Sequence, residues 1–340
     1  MNRAIRVVQY GVGPIGAAIV RLMLQKPGLQ VVGAVDVDPA KAGKDVGQVV
    51  GLDRDLGISV CPSAGPLLRS GADVVVHSTS SYLADVMDQL TECLEAGLHI
   101  ISTCEELAYP FRKHPQLSER LDRCAREHKV ALLGTGVNPG FAMDKLALTL
   151  AAACQQVSGV EVRRVVDASR RRLPLQKKVG AGLTVEEFRA QVAAGILKHH
   201  GLPESATMLA DSLGLRADRI EEAIEPVIAP KVVRTEFLEV QPGQVAGVHQ
   251  VARALAGADQ TIWLELKMYV GAEESSDSVS IRGVPDLHMS IPGGIHGDLA
   301  TVAVVVNCIP AMLGAAPGLR TSRDIPMCFF PGLAVAAAAP

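Results

Sequence analysis

The sequence predicts an α/β protein. An N-terminal Rossmann domain, a parallel sheet with helices on both faces, is joined to an α+β domain with a mostly antiparallel sheet. Three observations carry this prediction. Residues 7–16 read V-V-Q-Y-G-V-G-P-I-G, an apolar strand that runs into G-x-G-x-x-G and then into helical spacing at Ile15, Ile19, Leu22 and Met23. Strand and helix patterns alternate through the first 135 or so residues, an order that demands parallel pairing. Past Pro139 the rhythm changes, and helices are followed by runs of strands, the order of an α+β domain.

In the glycine turn, Gly11 permits the tight bend and Gly13 lets a pyrophosphate approach the backbone, while Gly16 lets helix and strand pack closely. The free N–H groups at the helix start then hold phosphates, which makes Gly11, Gly13, Pro14, Ile15 and Gly16 candidate cofactor-binding residues. Asp36 lies twenty positions past Gly16, at the end of a second strand over 29–35, where an acid is expected on a ribose hydroxyl. Lys41 and Lys44 stand just beyond it, placed to meet a 2′-phosphate. NAD and NADP both stay open as the cofactor.

The remaining elements follow in order. A helix starts at Asp38-Pro39, with Pro at the favoured first position. A weak strand follows at 58–61, then a buried strand at 73–77 (D-V-V-V-H) that ends in Ser78, Thr79, Ser80 and Ser81. An amphipathic helix over 82–96 is closed by Gly97. Strands at 99–103 and 130–133 flank a charged helix at 117–128. One long helix is expected over 141–155, a strand over 160–166, helices over 186–197, 205–213 and 218–226, then strands over 232–240, 245–254, 261–269, 276–281 and 287–291. Residues 296–314 are apolar on nearly all sides and are expected to form a buried helix. The expected organisation is a dinucleotide-binding domain over 1–140, a substrate and dimerisation domain over 141–295, a helix over 296–330 packing back on the first domain, and a frayed tail over 331–340.

Composition narrows the function classes. Aromatic residues make up 3% of the 340 positions and the formal net charge is −3, so neither base-stacking platforms nor electrostatics point to nucleic acid or an anionic membrane. Seven scattered cysteines without C-x-x-C argue against a disulfide framework and against a metal site, and suit a reducing compartment. The chain enters its first strand with no signal peptide, and its apolar runs are too short to span a bilayer. A cytoplasmic protein is expected. A sheet-rich second domain needs cover on one face, which suggests a homodimer.

Ligands of open α/β sheets bind beyond the carboxyl ends of the strands, which gathers four segments. Residues 11–16 take the pyrophosphate. Ser78, Thr79 and Ser80 offer hydroxyls near the nicotinamide ribose, and residues 134–141 (G-T-G-V-N-P-G-F) form a hinge and the floor of the cleft. The fourth segment, T-C-E-E-L, starts at Thr103 and sends two carboxylates off a buried strand. Glu106 suits a helix-start role, whereas Glu105, nearer the strand end, is placed to move protons or hold an ammonium. Arg170, Arg171, Arg172, Lys177 and Lys178 form a basic stretch best read as a solvated face. His199-His200 ends a helix, His249 and His288 alternate within strands, and Asp298 and Thr301 follow His296 beside the returning helix.

Four motifs in order now carry a resemblance: the glycine fingerprint, S-T-C-E-E-L-A-Y-P (102–110), G-T-G-V-N-P-G-F (134–141) and G-D-L-A-T with V-N-C-I-P (297–310). Together they resemble the dihydrodipicolinate-reductase-like superfamily, and within it 2,4-diaminopentanoate dehydrogenases and native amine dehydrogenases, from about residue 5 to 326. His199-His200 is followed by Gly-Leu-Pro, without the catalytic lysine and Ser-Gly-Thr clamp of true dihydrodipicolinate reductases, a departure that counts against that activity. The resemblance implies reductive amination of a small ketone or aldehyde with ammonia, reversible as oxidative deamination. It puts the catalytic glutamate on Glu105, pocket-lining roles on Asn138 and Phe141, a closing role on Thr301, and a cation for a substrate carboxylate on Arg164 or Arg163. A reductase of a C=C or C=N bond that uses no ammonia is the enzymatic alternative, and a non-catalytic dinucleotide sensor is the alternative from another class.

Overall fold

The computed structural model of the protein describes residues 3–171 and 173–329. The chain divides into two compact units, one of residues 1–141 with 297–340 and the other of residues 142–296. The expected tail and Arg172 lie outside the described residues.

The first unit begins with β1 (Ile5–Tyr10), α1 (Pro14–Met23), β2 (Leu29–Val35), α2 (Val46–Val49) and β3 (Val60–Cys61). It continues through β4 (Val74–His77), α3 (Leu83–Glu95), β5 (His99–Ser102), α4 (Pro115–Glu127) and β6 (Ala131–Gly134). The helix expected at Asp38-Pro39 is instead a series of turns. Asp38 accepts from the Ala40 amide at 2.9 Å, and Gly43 at φ +78° ends the turns. A helix is only capped at Asp45, which accepts from the Gly47 amide at 2.7 Å.

The second unit runs α5 (Lys145–Ala151), β7 (Gln156–Asp167), α6 (Leu173–Lys178), α7 (Val185–Ala193), α8 (Leu202–Leu213) and β8 (Arg219–Ile228). Next come β9 (Val233–Arg234), β10 (Glu239–Val240), β11 (Val245–Ala256), β12 (Asp259–Tyr269), β13 (Ser276–Val284) and β14 (Leu287–Pro292). Six of these strands form a sheet in the order β14-β13-β7-β12-β11-β8. All its pairings are antiparallel except β7 with β12. Three expectations fail here. The long helix over 141–155 shrinks to α5, because Asp144 caps it with a 2.5 Å bond from the Lys145 amide and is itself fixed by the Ser205 hydroxyl at 2.8 Å. The helix over 218–226 is the edge strand β8: its glutamates favour helix, but its burial alternates with period two and pairing with β11 wins. As an edge strand it also tolerates Pro226. The strand over 232–240 breaks into the β9–β10 hairpin, where the Thr235 hydroxyl accepts from the Phe237 and Leu238 amides at 3.1 Å each.

The chain returns to the first unit with α9 (Gly297–Met312) and β15 (Gly318–Arg320). β15 completes a seven-stranded sheet in the order β15-β6-β5-β4-β1-β2-β3, parallel at every pairing. Successive strand residues face opposite sides. Val74, Val76 and Ile101 therefore pack with Ile19, Val20 and Met23 of α1 and Val305, Val306 and Ile309 of α9. Val75 and Ile100 pack with Leu83, Val86 and Leu90 of α3 and Leu121 of α4. Both faces are covered, which is why these strands read as unbroken apolar runs. α9 buries a single stripe that includes Val302, Val305, Val306, Ile309 and Met312, while Leu299 is 70% exposed, so the all-round burial expected of it is corrected.

Polar groups are sealed into this core as well. His77, at the end of β4, is 0% exposed. Gln89 presents a carbonyl oxygen to its Nε2 at 2.8 Å, which assigns the proton to Nε2, and Nδ1 accepts from the Ser102 hydroxyl at 2.9 Å. Burial pushes the imidazole down to about 4, against a small upward pull from Gln89. Unfolded, the ring takes up a proton below its ordinary value near 6.5, while the folded ring stays neutral down to about 4. Its contribution to stability is therefore full above that ordinary value and is lost as pH falls from there toward the folded value. Urea unfolding at pH 7.5 and pH 5 is expected to show His77→Gln losing about 2 kcal/mol less across this interval than the native chain. Equal losses in the two proteins would refute the assignment.

Candidate active site

β1 and β4 are neighbours whose onward connections diverge, so the sheet has its switch point at their carboxyl ends. The glycine turn sits there. Gly11 has φ +87°, and a Cβ on it would collide with the Ser78 carbonyl oxygen, as one on Gly16 would collide with the Gly11 carbonyl oxygen. A Cβ on Gly13 would meet nothing within 4 Å. Two glycines are thus dictated by the protein's own packing, and the third faces open space. Gly13 caps α1 without a side-chain hydrogen bond, Pro14 follows at the first turn, and no acid occupies that turn. The helix start therefore presents unclaimed amides and positive dipole to an anion. Pro14 is exposed and Ile15 half-buried. The open side of Gly13 and these amides fit a dinucleotide pyrophosphate.

Asp36, 9% exposed, closes this end of the site. Its carboxylate accepts from the Val12 amide (2.8 Å), the Asp38 amide (2.9 Å) and Lys41 Nζ (2.9 Å). Burial raises its carboxyl, but these donors outweigh burial and hold it below the usual carboxylate range. The hydroxyls after β4 have local partners. Ser78 donates to the Gly11 carbonyl at 3.0 Å and accepts from Gln9 at 2.9 Å, locking the two loops together. Thr79 donates to Gln89 at 2.8 Å and Ser80 to Asp85 at 3.2 Å.

The two glutamates occur in one 3-10 turn, Glu105–Leu107, and have opposite surroundings. Glu106 is 4% exposed and accepts from the Leu83 amide at the start of α3 (2.8 Å), from Lys113 (2.5 Å) and from His114 (3.1 Å). Burial raises its carboxyl, and Lys113 and the Leu83 amide more than reverse that. Glu105 lines a small recess with Thr103, Thr135, Asn138, Pro139 and Thr301. Its Oε2 is buried and has no hydrogen-bond partner. The turn is held from below: Ser102 Oγ accepts from the Cys104 amide at 3.1 Å. From the side, a Cβ on Gly134 would lie 2.5 Å from the Leu107 carbonyl, so only glycine lets β6 end against the turn. The Cys104 thiol donates to the Ser81 carbonyl at 3.4 Å, and burial pushes it up to about 12.

Thr301, on α9, accepts from the Val137 amide at 3.3 Å and so ties that helix to the recess loop. Phe141 is half-buried and is not among the lining residues. Thr135 was missed individually, although the loop that carries it was singled out. Arg164, expected as a cation for a substrate carboxylate, is already engaged by the protein. It is 3% exposed, pairs with Asp277 at 2.7 Å and donates to the Ile295 carbonyl at 2.6 Å. Burial pushes the Asp277 carboxyl up, against the pull of Arg164. Arg163 is also engaged, with Glu161 at 2.5 Å and over the Trp263 ring at 4.6 Å. Of the basic stretch, Arg171 is buried while Arg170, Lys177 and Lys178 are exposed. His249 pairs with Glu265 at 2.8 Å and His288 with Ser280 at 3.0 Å. Among the described residues, no group of three or more His, Cys, Asp or Glu side chains is arranged to hold a metal ion.

Comparison with known proteins adds to this geometry. Residues 141–331 match the model of the 2,4-diaminopentanoate dehydrogenase C-terminal domain, and residues 5–104 that of the dihydrodipicolinate reductase N-terminus. The chain is 30% identical to 2,4-diaminopentanoate dehydrogenase of Acetoanaerobium sticklandii over 95% of its length and 94% of that protein's. It is 22% identical to an amine dehydrogenase of Streptomyces virginiae, over 95% and 96% of the two chains. The solved amine dehydrogenase of Mycobacterium smegmatis superposes with a TM-score of 0.84 at 29% identity, covering 96% of this chain and 97% of that one.

Gly13 offers a direct check of the cradle. Its φ of −71° is open to any residue, and a Cβ there meets no protein atom within 4 Å. Gly13→Val is expected to melt at the native temperature and to lose the thermal stabilisation that NADH or NADPH gives the native chain. A variant that is still stabilised would show that the pyrophosphate does not approach this turn.

Proposed function

The chain belongs to the 2,4-diaminopentanoate dehydrogenase family, and from that premise we propose that it is an NAD(P)-dependent amine dehydrogenase that joins ammonia to a small ketone or aldehyde, and reversibly deaminates the resulting amine. The observation that carries the proposal is Glu105 Oε2, a buried carboxylate oxygen with no donor, in a recess at the carboxyl edge of the parallel sheet. Such an oxygen is stabilised by whatever N–H enters the recess, and an ammonium or iminium nitrogen meets that need best, since it brings both donors and positive charge.

When bound, the nicotinamide supplies the hydride gained by the substrate carbon. The chain's own residues do the rest. The amides of the glycine turn would hold the pyrophosphate and Asp36 a ribose hydroxyl, with Ser80 and Thr103 offering hydroxyls to the nicotinamide ribose. Glu105 holds the ammonia-derived nitrogen and takes or returns its proton as water leaves or re-enters the carbon. Glu106 has no such role, because its oxygens are taken up by Leu83, Lys113 and His114. Asn138 and Pro139 wall the recess, and Thr301 fixes the loop that carries them. With Arg163 and Arg164 both committed within the second unit, small neutral carbonyls and amines are the substrate class assigned.

Seven free thiols suit a reducing compartment, and we assign the protein to the cytoplasm; among the described residues no helix is long and apolar enough to cross a membrane. The second unit's sheet supports a homodimer. Val165, Trp263 and Lys267 alternate with the core positions Val166, Leu264 and Leu266 and are only half-exposed, a face suited to a second copy.

Two measurements check these assignments. NADH and NADPH absorbance, followed with a panel of small ketones and aldehydes, is expected to fall only when ammonia is present; Glu105→Ala should lower that rate by about 10²–10⁴-fold without loss of stability, and Glu106→Ala should cost about 2 kcal/mol of stability. Oxidation independent of ammonia would favour the C=C or C=N reductase, and a live Glu105→Ala would overturn the assignment. Light scattering is expected to give twice the mass of the chain, and a monomer would remove the dimer.

A further inference from the structure

The threonines inside three other helices spend their hydroxyls on the helix itself. Thr91 donates to the Met87 carbonyl at 2.7 Å, Thr149 to that of Lys145 at 2.8 Å and Thr207 to that of Pro203 at 2.7 Å, each one turn back. Thr301 of α9 is turned another way. Its oxygen accepts from the Val137 amide at 3.3 Å, its proton goes to no protein group among the described residues, and it lines the recess that holds Glu105. A second hydroxyl stands in the same wall. Thr135 is 4% exposed and its amide is pinned to the Ser102 carbonyl at 2.9 Å, yet its hydroxyl likewise bonds to no protein group among the described residues. We propose that Thr135 and Thr301 donate together to the oxygen of the substrate carbonyl, so that the recess recognises both heteroatoms of the reacting carbon, nitrogen through Glu105 and oxygen through the two threonines.

This rests on the amine-dehydrogenase reading and on a match of donors to acceptors. A carbonyl oxygen has two lone pairs and no proton, and two O–H donors complete it. Glu105 Oε2 is an acceptor without a donor, which suits an N–H and repels that oxygen. The loop over 134–141 brings the two hydroxyls to one place. A Cβ on Gly136 would lie 3.8 Å from Thr301 Oγ1, and one on Gly140, at φ +118°, would lie 2.6 Å from Thr135 Oγ1. Glycine at 140 therefore lets the backbone close against the Thr135 hydroxyl. In the reaction, ammonium gives one proton to Glu105, and its nitrogen pair forms the C–N bond as the C=O π pair moves to oxygen. A second proton passes from nitrogen to oxygen. The C–O bond then breaks with its pair, Glu105 returns the first proton to that oxygen, and water leaves an iminium behind. The threonines keep their own protons throughout and steady the oxygen while its charge grows.

Two rates in the full chain test this. Oxidation of NADH or NADPH by ammonia and a small aldehyde requires the oxygen to be expelled. The first turnover of the corresponding amine with NAD or NADP, followed by stopped flow, ends at hydride transfer, before any oxygen enters. Thr135→Val and Thr301→Val should each lower the first rate by about tenfold or more and leave the second within about threefold. Thr135→Ser and Thr301→Ser, which keep the donor, should restore the first rate. Thr135→Val is the cleaner arm, because Thr301→Val also strips the Val137 amide of its acceptor. Equal loss of both rates in Thr135→Val would show a merely structural role, and two unchanged rates would show that no oxygen is held there; either result overturns the inference. A native chain without ammonia-dependent turnover is a different failure, which removes the amine-dehydrogenase reading and this inference with it.

Discussion

A carboxylate oxygen shut away from water without a donor costs about 1–3 kcal/mol or more, and Glu105 Oε2 is such an oxygen. The rest of the first unit can be understood as the means of keeping it there. Left to relax, the side chain would turn to the nearest donor. The obvious candidates are already taken: Lys113, His114 and the Leu83 amide are bound to Glu106. The 3-10 turn that carries both glutamates cannot shift, since Ser102 holds it through Cys104, and β6 is pressed against it at Gly134. One glutamate thus consumes the local donors, and the other keeps an oxygen without one.

The same division of labour recurs at the other end of the cleft. Gly11 and Gly16 are required by contacts with Ser78 and with the turn's own backbone, while Gly13 faces space. Ser78, which a sequence reading treats as a ligand residue, is a bolt between β1 and β4 through Gln9 and Gly11. Its hydroxyl sets the shape of the cradle.

Much of this was legible in the residues. The glycine spacing, Asp36, the buried strand 73–77 and the loop 134–141 place the cleft because they are local patterns with one structural meaning each. The distinction between Glu105 and Glu106 was also local, resting on distance from the strand end. What escaped was decided by distant partners. The partner of Arg164 is Asp277, 113 residues away, which no local pattern reveals. The glutamates of β8 favour a helix, and only pairing with β11 makes a strand of them. Lys41 read as a loose charge near a phosphate, and its bond to Asp36 depends on turns that the sequence presented as a helix.

The central claim concerns one oxygen and what completes it. A crystal structure with nicotinamide dinucleotide and a small amine bound measures that directly. The account predicts the amine nitrogen within hydrogen-bonding distance of Glu105 Oε2, with Glu106 still on Lys113. An amine bound elsewhere, or Glu105 turned away to a protein donor, would contradict it.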